Sequence, residues 1–191
     1  LGAGPWIVRS SSIREDNQIT SNAGAFVSVL DVDSEKLEEA INQVINSYKN
    51  ESLTEEILVQ PMLKNVEVSG VAFSHDPNTG SPDRIINWAE GNNTQAVTSG
   101  LAGNVCQIAA GHSKTPEDTF FGPVSDLIEE LLTIFDEIPL DCEFAISKQK
   151  KRQTLWLLQV RPLILASEPK STEKHTRQLT LIKEKIKIGM R

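Results

Sequence analysis

The sequence predicts an α+β fold in which mixed or antiparallel sheets pack against a few helices. Nine short runs are rich in β-branched and aromatic residues, and clusters of Gly, Pro, Asn or Ser separate them, which is typical of strands joined by turns. Two segments have the apolar periodicity of a helix. Because strands outnumber helices and do not alternate with them one for one, a doubly wound parallel sheet is disfavoured.

The predicted elements follow in chain order. Strands are predicted at residues 6–9, 25–30, 56–63, 68–74, 84–88, 96–99, 104–110, 141–147 and 154–160. One helix is predicted over residues 37–48, with Asp33 or Ser34 as its N-cap, because apolar residues recur there on one helical face. A second helix, over residues 127–135, follows Ser125.

The end of the chain changes in composition. Residues 167–177 are polar and charged, which predicts a linker, and residues 179–188 alternate apolar residues with lysines in a strand or a helix. The chain also begins at Leu1, directly before a predicted strand. We therefore expect a fragment of a longer protein, with one domain at residues 1–166 and a linker with a basic tail at residues 167–191 leading to an absent domain.

Charge and hydropathy exclude several classes of protein. The 191 residues carry a net charge of -7, and the segment before Pro169 has 12 basic and 24 acidic residues, a balance of -12. Such an acidic body argues against nonspecific nucleic-acid binding. No apolar run approaches the roughly 20 residues that span a bilayer, and no signal peptide is visible. We expect a cytoplasmic protein with no membrane or nucleic-acid partner, and reduced structural thiols at Cys106 and Cys142.

The first candidate site is the end of the first predicted strand. Arg9 follows a hydrophobic run, and Ser10 and Ser11 begin a loop of small and hydroxyl-bearing residues. Small side chains let the backbone approach a phosphate group closely, and the arginine fork matches a pair of phosphate oxygens. A polar surface turn is an equally weighted interpretation, and the loop lacks the Gly-Lys-Ser/Thr of a Walker A motif.

The second candidate site is a predicted hairpin formed by residues 141–147 and 154–161. If a five-residue loop joins its strands, facing residue numbers sum to about 300, so Asp141 lies opposite Gln159. Asp141, Glu143, Gln159 and Arg161 then share one face, while Cys142, Phe144, Ile146, Trp156 and Leu158 share the buried face. Hard oxygen ligands suit Mg²⁺ and the arginine suits phosphate. A solvated face with an ordinary ion pair is the alternative interpretation.

The third candidate segment runs from residue 56 to residue 80. It contains Gln60 and Met62 at the end of a predicted strand, and residues 76–80 have strong turn chemistry that an ordinary hairpin explains. The three histidines, His75, His112 and His175, are predicted to be exposed rather than catalytic.

Together and in this order, these pieces resemble the nucleotide-binding domain of phosphoenolpyruvate synthase and pyruvate phosphate dikinase. The resemblance covers roughly residues 5 to 165. The matching pieces are Val8-Arg9-Ser10-Ser11, Glu15-Asp16, Ala23-Gly24, Val59-Gln60-Pro61-Met62, residues 69–74, Pro77-Asn78-Thr79-Gly80, Asp141-Cys142-Glu143-Phe144 and Leu158-Gln159-Val160-Arg161-Pro162. The resemblance implies an ATP-grasp-like fold, in which two α+β lobes hold ATP between them.

The resemblance also implies a role for each candidate residue. Arg9 would contact the nucleotide phosphates beside Ser10 and Ser11, Asp141 and Glu143 would serve the metal and phosphate region, and Gln159 and Arg161 would complete that wall. Gln60 and Met62 would lie beside the adenine. Arg9, Glu143 and Arg161 are the implied catalytic residues, ATP and Mg²⁺ are the implied cofactors, and a histidine on a phosphohistidine domain of the same or a partner chain is the implied phosphate carrier.

Two departures from the family pattern leave an alternative open. The lysine-bearing segment of the family would precede Leu1, and the Gly-Leu-Gly-Glu motif is replaced in residues 88–95. The leading hypothesis is an ATP-dependent phosphotransferase whose acceptor the sequence does not identify. The alternatives are a non-catalytic ATP-binding or interaction module derived from the same fold, and an α+β domain without a ligand.

Overall fold

The computed structural model describes residues 4–11, 27–48, 56–91, 103–110, 120–149 and 152–189. The chain divides into two compact units, Leu1–Lys64 and Asn65–Arg191. The predicted strand at residues 96–99, the first two residues of the one at 25–30, and His112 lie outside the described residues.

Unit 1 is a three-stranded antiparallel sheet covered by one helix. Its elements are β1 (Trp6–Ser11), β2 (Ser28–Val32), a 3-10 turn (Ser34–Lys36), α1 (Leu37–Ser47) and β3 (Glu56–Pro61), and the strand order is β2-β1-β3. Alternate residues of β1 point to the helix, so Trp6 and Val8 are buried against Ala40 and Val44 of α1. The predicted helix is confirmed, and its first turn differs from the prediction.

The start of α1 is set by the 3-10 turn rather than by a side-chain cap. Asp33 precedes that turn without a capping hydrogen bond from its side chain, and its carbonyl accepts the N–H of Lys36 at 2.9 Å. The Ser34 hydroxyl instead accepts a hydrogen bond from Nε1 of Trp6 at 3.3 Å. The helix therefore begins at Leu37.

Unit 2 is a five-stranded antiparallel sheet with one helix packed on one face. Its strands are β4 (Val66–Phe73), β5 (Arg84–Glu90), β6 (Asn104–Ile108), β7 (Leu140–Gln149) and β8 (Arg152–Pro162), in the order β6-β5-β4-β7-β8. Helix α2 (Phe121–Ile134) buries Val124, Ile128, Leu131 and Leu132 against this face. We call it the core face, and its strand residues include Ala72, Ile86, Cys142, Phe144 and Ile146.

Helix α2 begins earlier than predicted. Its first residue is Phe121, so Ser125 lies inside the helix and does not cap it. Pro123 falls in the first turn, where a missing N–H removes no hydrogen bond of the helix, and this position is compatible with helix formation. At the other end, Phe135 is 46% exposed and its N–H closes the last turn on the carbonyl of Leu131.

The tail is a helix, α3 (Thr172–Gly189), which begins inside the predicted linker. The N–H of Lys174 bonds the Ser171 hydroxyl at 3.3 Å, so Ser171 caps the helix. The segment before it is fixed to the β4–β5 connection, since the N–H of Ala166 donates to the Pro77 carbonyl at 2.9 Å and that of Lys170 to the Gly80 carbonyl at 2.8 Å. The division into residues 1–166 and 167–191 stays a prediction about a longer protein.

These two sheets and three helices confirm the predicted α+β class, with every described strand pair antiparallel. Both cysteines are free thiols, as predicted. No helix among the described residues combines the length and the hydrophobicity needed to cross a bilayer.

Candidate functional site

The four polar residues of the predicted hairpin lie on one face of the unit 2 sheet, opposite the core face. Asp141 of β7 pairs with Arg161 of β8, and Glu143 pairs with Gln159. We call this face, defined by these four residues, the polar face. The prediction that the four share a face is confirmed, whereas the predicted register is wrong by two residues. One residue of the difference arises because only residues 150 and 151 lie between the two strands, and the other arises from a β-bulge in β8.

A β-bulge in β8 corrects the predicted burial of the hairpin. Gln159 pairs with Glu143 and Leu157 with Phe144, so Leu158 is an extra residue that has no partner on β7. The inside-outside alternation of β8 reverses there. Trp156 consequently pairs with Ala145 and is 41% exposed, instead of lying in the core as predicted.

Arg161 lies between the two carboxylates of the polar face. Its Nε donates to Oδ1 of Asp141 at 3.2 Å, and its Nη2 lies 3.7 Å from Oε1 of Glu143. The three side chains are 18%, 16% and 19% exposed in the order Arg161, Asp141, Glu143. Two negative charges thus share one positive charge in a mostly buried setting, where charges are screened less than in solvent.

This set of groups suits an anion and its counter-ion more than it suits a permanent metal cage. Within the described parts of the chain, no three of His, Cys, Asp and Glu come together as a metal-binding group. Mg²⁺ is usually held through one or two carboxylates and completed by water and ligand oxygens. Asp141 and Glu143 with the neighbouring amide of Gln159 fit that pattern.

The thiol between the two carboxylates is not a nucleophile. Burial, and then the negative charge of Asp141, raises the pKa of Cys142 to about 12. Cys142 is fully buried on the core face, so it stays protonated and acts as a packing group.

In unit 1, Arg9 and Gln60 share a face of the three-stranded sheet. Arg9 pairs with Leu58 of β3, and Gln60 pairs with Ile7 of β1, so the two polar residues are diagonal neighbours on the face away from α1. Ser10 and Ser11 belong to β1 rather than to a loop, which corrects the prediction.

The two serines and Met62 differ in what they expose. Ser10 is 5% exposed on the core side of β1, whereas Ser11 is exposed at the strand end. The N–H of Met62 donates to the carbonyl of Pro5 at 2.9 Å, so this backbone donor already has a partner. These residues belong to unit 1, whereas the residues of the polar face belong to unit 2.

Two polar residues of the polar face were missed by sequence reasoning. Asn87 of β5 and Glu143 of β7 both pair with Val71 of β4, from its two sides, and Ser69 of β4 lies one step along the same face. Asn is depleted in strands, so its position between Ile86 and Trp88 was a signal that could have indicated a special role.

The prediction that the histidines are exposed is wrong for the two that the structure describes. His75 is 8% exposed and its Nδ1 lies 2.9 Å from the buried hydroxyl of Ser74. Burial, and then the positive charge of Arg84, lowers the pKa of His75. His75 is therefore a neutral core residue. Its burial and the nearby charge of Arg84 explain its lowered pKa, and no catalytic role is needed.

His175 belongs to a second buried polar cluster, centred on Asp83. Oδ2 of Asp83 accepts hydrogen bonds from Ser81 at 2.7 Å and Gln107 at 3.0 Å, and Oδ1 accepts the N–H of Ala110 at 3.2 Å. These bonds outweigh the opposing effect of burial and lower the pKa of Asp83. Nε2 of His175, on α3, lies 2.9 Å from Oδ1 but off the line of a hydrogen bond.

Comparison with known proteins adds a family to this geometry. A family model described as pyruvate phosphate dikinase, AMP/ATP-binding domain, matches residues 2–108, which is more than half of the 191-residue chain. The match includes Arg9, Ser10, Ser11 and Gln60. It ends before β7, so the four residues that define the polar face lie beyond it. No curated protein matches the chain.

Proposed function

The chain belongs to the family of pyruvate phosphate dikinase AMP/ATP-binding domains, and from this premise we propose that it is the nucleotide-binding part of an ATP-dependent phosphotransferase. It binds ATP together with Mg²⁺ and passes a phosphate to a carrier histidine on another domain of the same or a partner chain. The fold class agrees with the ATP-grasp-like architecture of the proposal. A cytoplasmic location belongs to the same proposal.

One observation supports the proposed phosphate site most directly. Arg161 lies between Asp141 and Glu143 on the polar face. An arginine held at two carboxylates is fixed in direction and keeps a donor for a phosphate oxygen, since the guanidinium has five N–H groups. Asp141 and Glu143 would hold Mg²⁺, with the amide oxygen of Gln159 beside them. When bound, the ion neutralises charge on the phosphate oxygens.

Unit 1 supplies the remaining contacts in this proposal. Arg9 contacts the phosphates, and exposed Ser11 offers a hydroxyl at the end of the same strand, next to buried Ser10. The N–H of Ser11 donates to the Tyr48 hydroxyl at 3.4 Å, so the proposal assigns only the hydroxyl of Ser11 to the ligand. Gln60 and the backbone of Met62 contact the adenine. Because the Met62 N–H is bonded to Pro5, the proposal assigns the carbonyl rather than the N–H of Met62 to the base.

In this proposal the nucleophile comes from another domain, because two candidates among the described residues are not suited to the role. Cys142 stays protonated, and His75 is enclosed in the core. The chain's own residues therefore position the nucleotide and neutralise its charge, which is the main requirement of phosphoryl transfer. A histidine nitrogen on the carrier domain takes the phosphoryl group, and the remaining part of the nucleotide leaves.

The second candidate function is a non-catalytic ATP-binding or interaction module. The replacement of the family's Gly-Leu-Gly-Glu motif in residues 88–95 favours it. Both functions include nucleotide binding, and only the first includes transfer.

The binding part is tested by calorimetric titration of the 191-residue chain with ATP and Mg²⁺. Arg161→Ala should weaken binding about 10- to 100-fold, since a hydrogen bond to a charged group contributes about 1.5–3 kcal/mol. Arg152→Ala, on the same strand but exposed, is the matched control and should bind as the native chain does. Native affinity in the Arg161 variant would refute the site.

The transfer part is tested with labelled ATP and a histidine carrier domain of this family. The phosphotransferase should move label to the carrier histidine, and Glu143→Gln should slow that step. Nucleotide binding without any labelled carrier would favour the non-catalytic module.

A further inference from the structure

Two polar atoms on the polar face have no hydrogen-bond partner among the residues that the structure describes. They are Oγ of Ser69, a residue that is 2% exposed, and Oδ1 of Asn87, and both atoms are buried. Burying such an atom without a partner costs about 1–3 kcal/mol, and native proteins keep few of them. Each therefore needs an explanation.

The register places the two residues near each other. Ser69 pairs with Ala89, two residues from Asn87 on β5, so Ser69 and Asn87 are diagonal neighbours on one face. They are not hydrogen-bonded to each other. Both lie within the residues that the family model matches.

Distance separates this pair from the proposed metal site. Glu143 and Asn87 flank Val71 from opposite sides, so their strands are two spacings apart, about 10 Å. Two ligands of one Mg²⁺ lie at most about 4 Å apart, since each bond is about 2.1 Å. Asn87 therefore contacts a different part of any ligand that spans this face.

The chemistry of Oδ1 of Asn87 limits which part of a ligand this atom can contact. Oδ1 of Asn87 accepts hydrogen bonds and cannot donate one, and ionised phosphate oxygens also only accept. Its partner must carry an O–H or N–H group. In a nucleotide, the ribose hydroxyls and the amino group of adenine are such donors.

The order of residues along β4 also places Ser69 away from the Asp141–Arg161 pair. From the Asp141–Arg161 pair beside Phe73, the strand runs back past Val71 to Ser69 and Val66. The Asp141–Arg161 pair and Ser69 thus lie on opposite sides of the row formed by Asn87 and Glu143.

We propose that Asn87, with Ser69 beside it, binds the nucleoside end of the nucleotide by accepting a hydrogen bond from a ribose hydroxyl or the base amino group. This inference rests on the proposed function, and it adds two residues that hold the sugar or base while Arg161 and the carboxylates hold the phosphates.

The test is calorimetric titration of the 191-residue chain with AMP, with Mg²⁺-ATP and with Mg²⁺-tripolyphosphate. Asn87→Leu should weaken AMP and ATP about tenfold each, as expected for one hydrogen bond to a ligand, and leave tripolyphosphate binding unchanged. Arg161→Ala should instead weaken the binding of ATP and tripolyphosphate more than the binding of AMP. Asn104→Leu, an exposed position of β6 on the core-face side, is the matched control.

Two further measurements keep the result interpretable. Because the unpartnered atoms disfavour the folded state, Asn87→Leu and the smaller change Ser69→Ala should leave Tm unchanged or raise it, which a purely structural asparagine would not do. A loss of the Asn87→Leu effect with 2′-deoxy-AMP identifies the hydroxyl as donor, and a loss with inosine monophosphate identifies the amino group.

The failures of the two proposals are distinct. Native AMP affinity in both Asn87→Leu and Ser69→Ala, with ATP binding weakened by Arg161→Ala, overturns the nucleoside assignment and leaves the proposed function standing. A native chain that binds neither AMP nor ATP overturns both.

Discussion

Replacing Arg161 by Met should destabilise the ligand-free protein by about 2 kcal/mol. The change keeps most of the apolar stem and removes the charge between Asp141 and Glu143. Exposed ion pairs contribute about 0–1 kcal/mol, and breaking a fully buried pair costs about 3–5 kcal/mol. Side-chain exposures of 16–19% place this cluster between those limits.

Carboxylate repulsion gives the same magnitude independently. Asp141 and Glu143 are two residues apart on one strand face, about 6.7 Å, and two like charges at that distance repel by about 2.5 kcal/mol at an effective dielectric constant of 20. For a chain of this length, 2 kcal/mol corresponds to a fall in Tm of about 4–8 °C.

The assay is urea and thermal unfolding of a double-mutant cycle formed by Arg161→Met and Asp141→Asn, measured at pH 7. The two changes should be coupled, because Asp141→Asn removes one of the charges that the arginine balances. Arg152→Met, exposed on the same strand, should change the free energy of unfolding by less than about 0.5 kcal/mol. Additive effects, or a loss in Arg161→Met equal to that of the control, would refute the reasoning.

Three other changes have defined outcomes. Gly70→Ala should abolish or greatly weaken folding, because the added Cβ would lie 2.3 Å from a backbone oxygen of β5 and 2.8 Å from a buried phenylalanine ring; a Tm close to the native value would contradict this. Burial and Arg84 lower the pKa of His75 from 6.5, so the unfolded chain binds more protons and the free energy of unfolding should fall as pH drops below 6.5. His75→Gln should flatten that fall in urea titrations from pH 7 to pH 5. His175→Gln removes the group next to Asp83 and should speed hydrogen exchange in α3 while the sheet exchanges at its native rate; unchanged α3 exchange would count against this anchor.

Local patterns were sufficient to locate most of the described strands and both early helices. Alternating burial in β1 and the 3.6-residue periodicity of α1 follow from the sequence because each element buries one face against the other. The same alternation correctly put Asp141, Glu143, Gln159 and Arg161 on one face, since the four residues lie on one side of the bulge.

Features that depend on contacts between distant residues were not predictable in this way. His75 and His175 sit in polar segments of the sequence. His75 is buried near Arg84 of β5, and His175 of α3 lies against Asp83, which is far away in the sequence, so no local pattern indicates either contact. The position of Asn87 could not be predicted for the same reason. Asn87 and Glu143 share a face because β4 pairs with both β5 and β7, and no local sequence pattern indicates those pairings.

The bulge at Leu158 explains how β8 serves the core and the polar face together. Without the extra residue, strict alternation from Arg161 and Gln159 would put Leu157 and Leu155 on the polar face and Trp156 in the core. With it, Leu155 packs against the core cluster, and Trp156 pairs with Ala145 and donates from Nε1 to Ser147 at 2.9 Å. One inserted residue thus lets a single edge strand present a charged pair at one end and an apolar contact at the other, and bulges commonly redirect side chains beside functional sites in this manner.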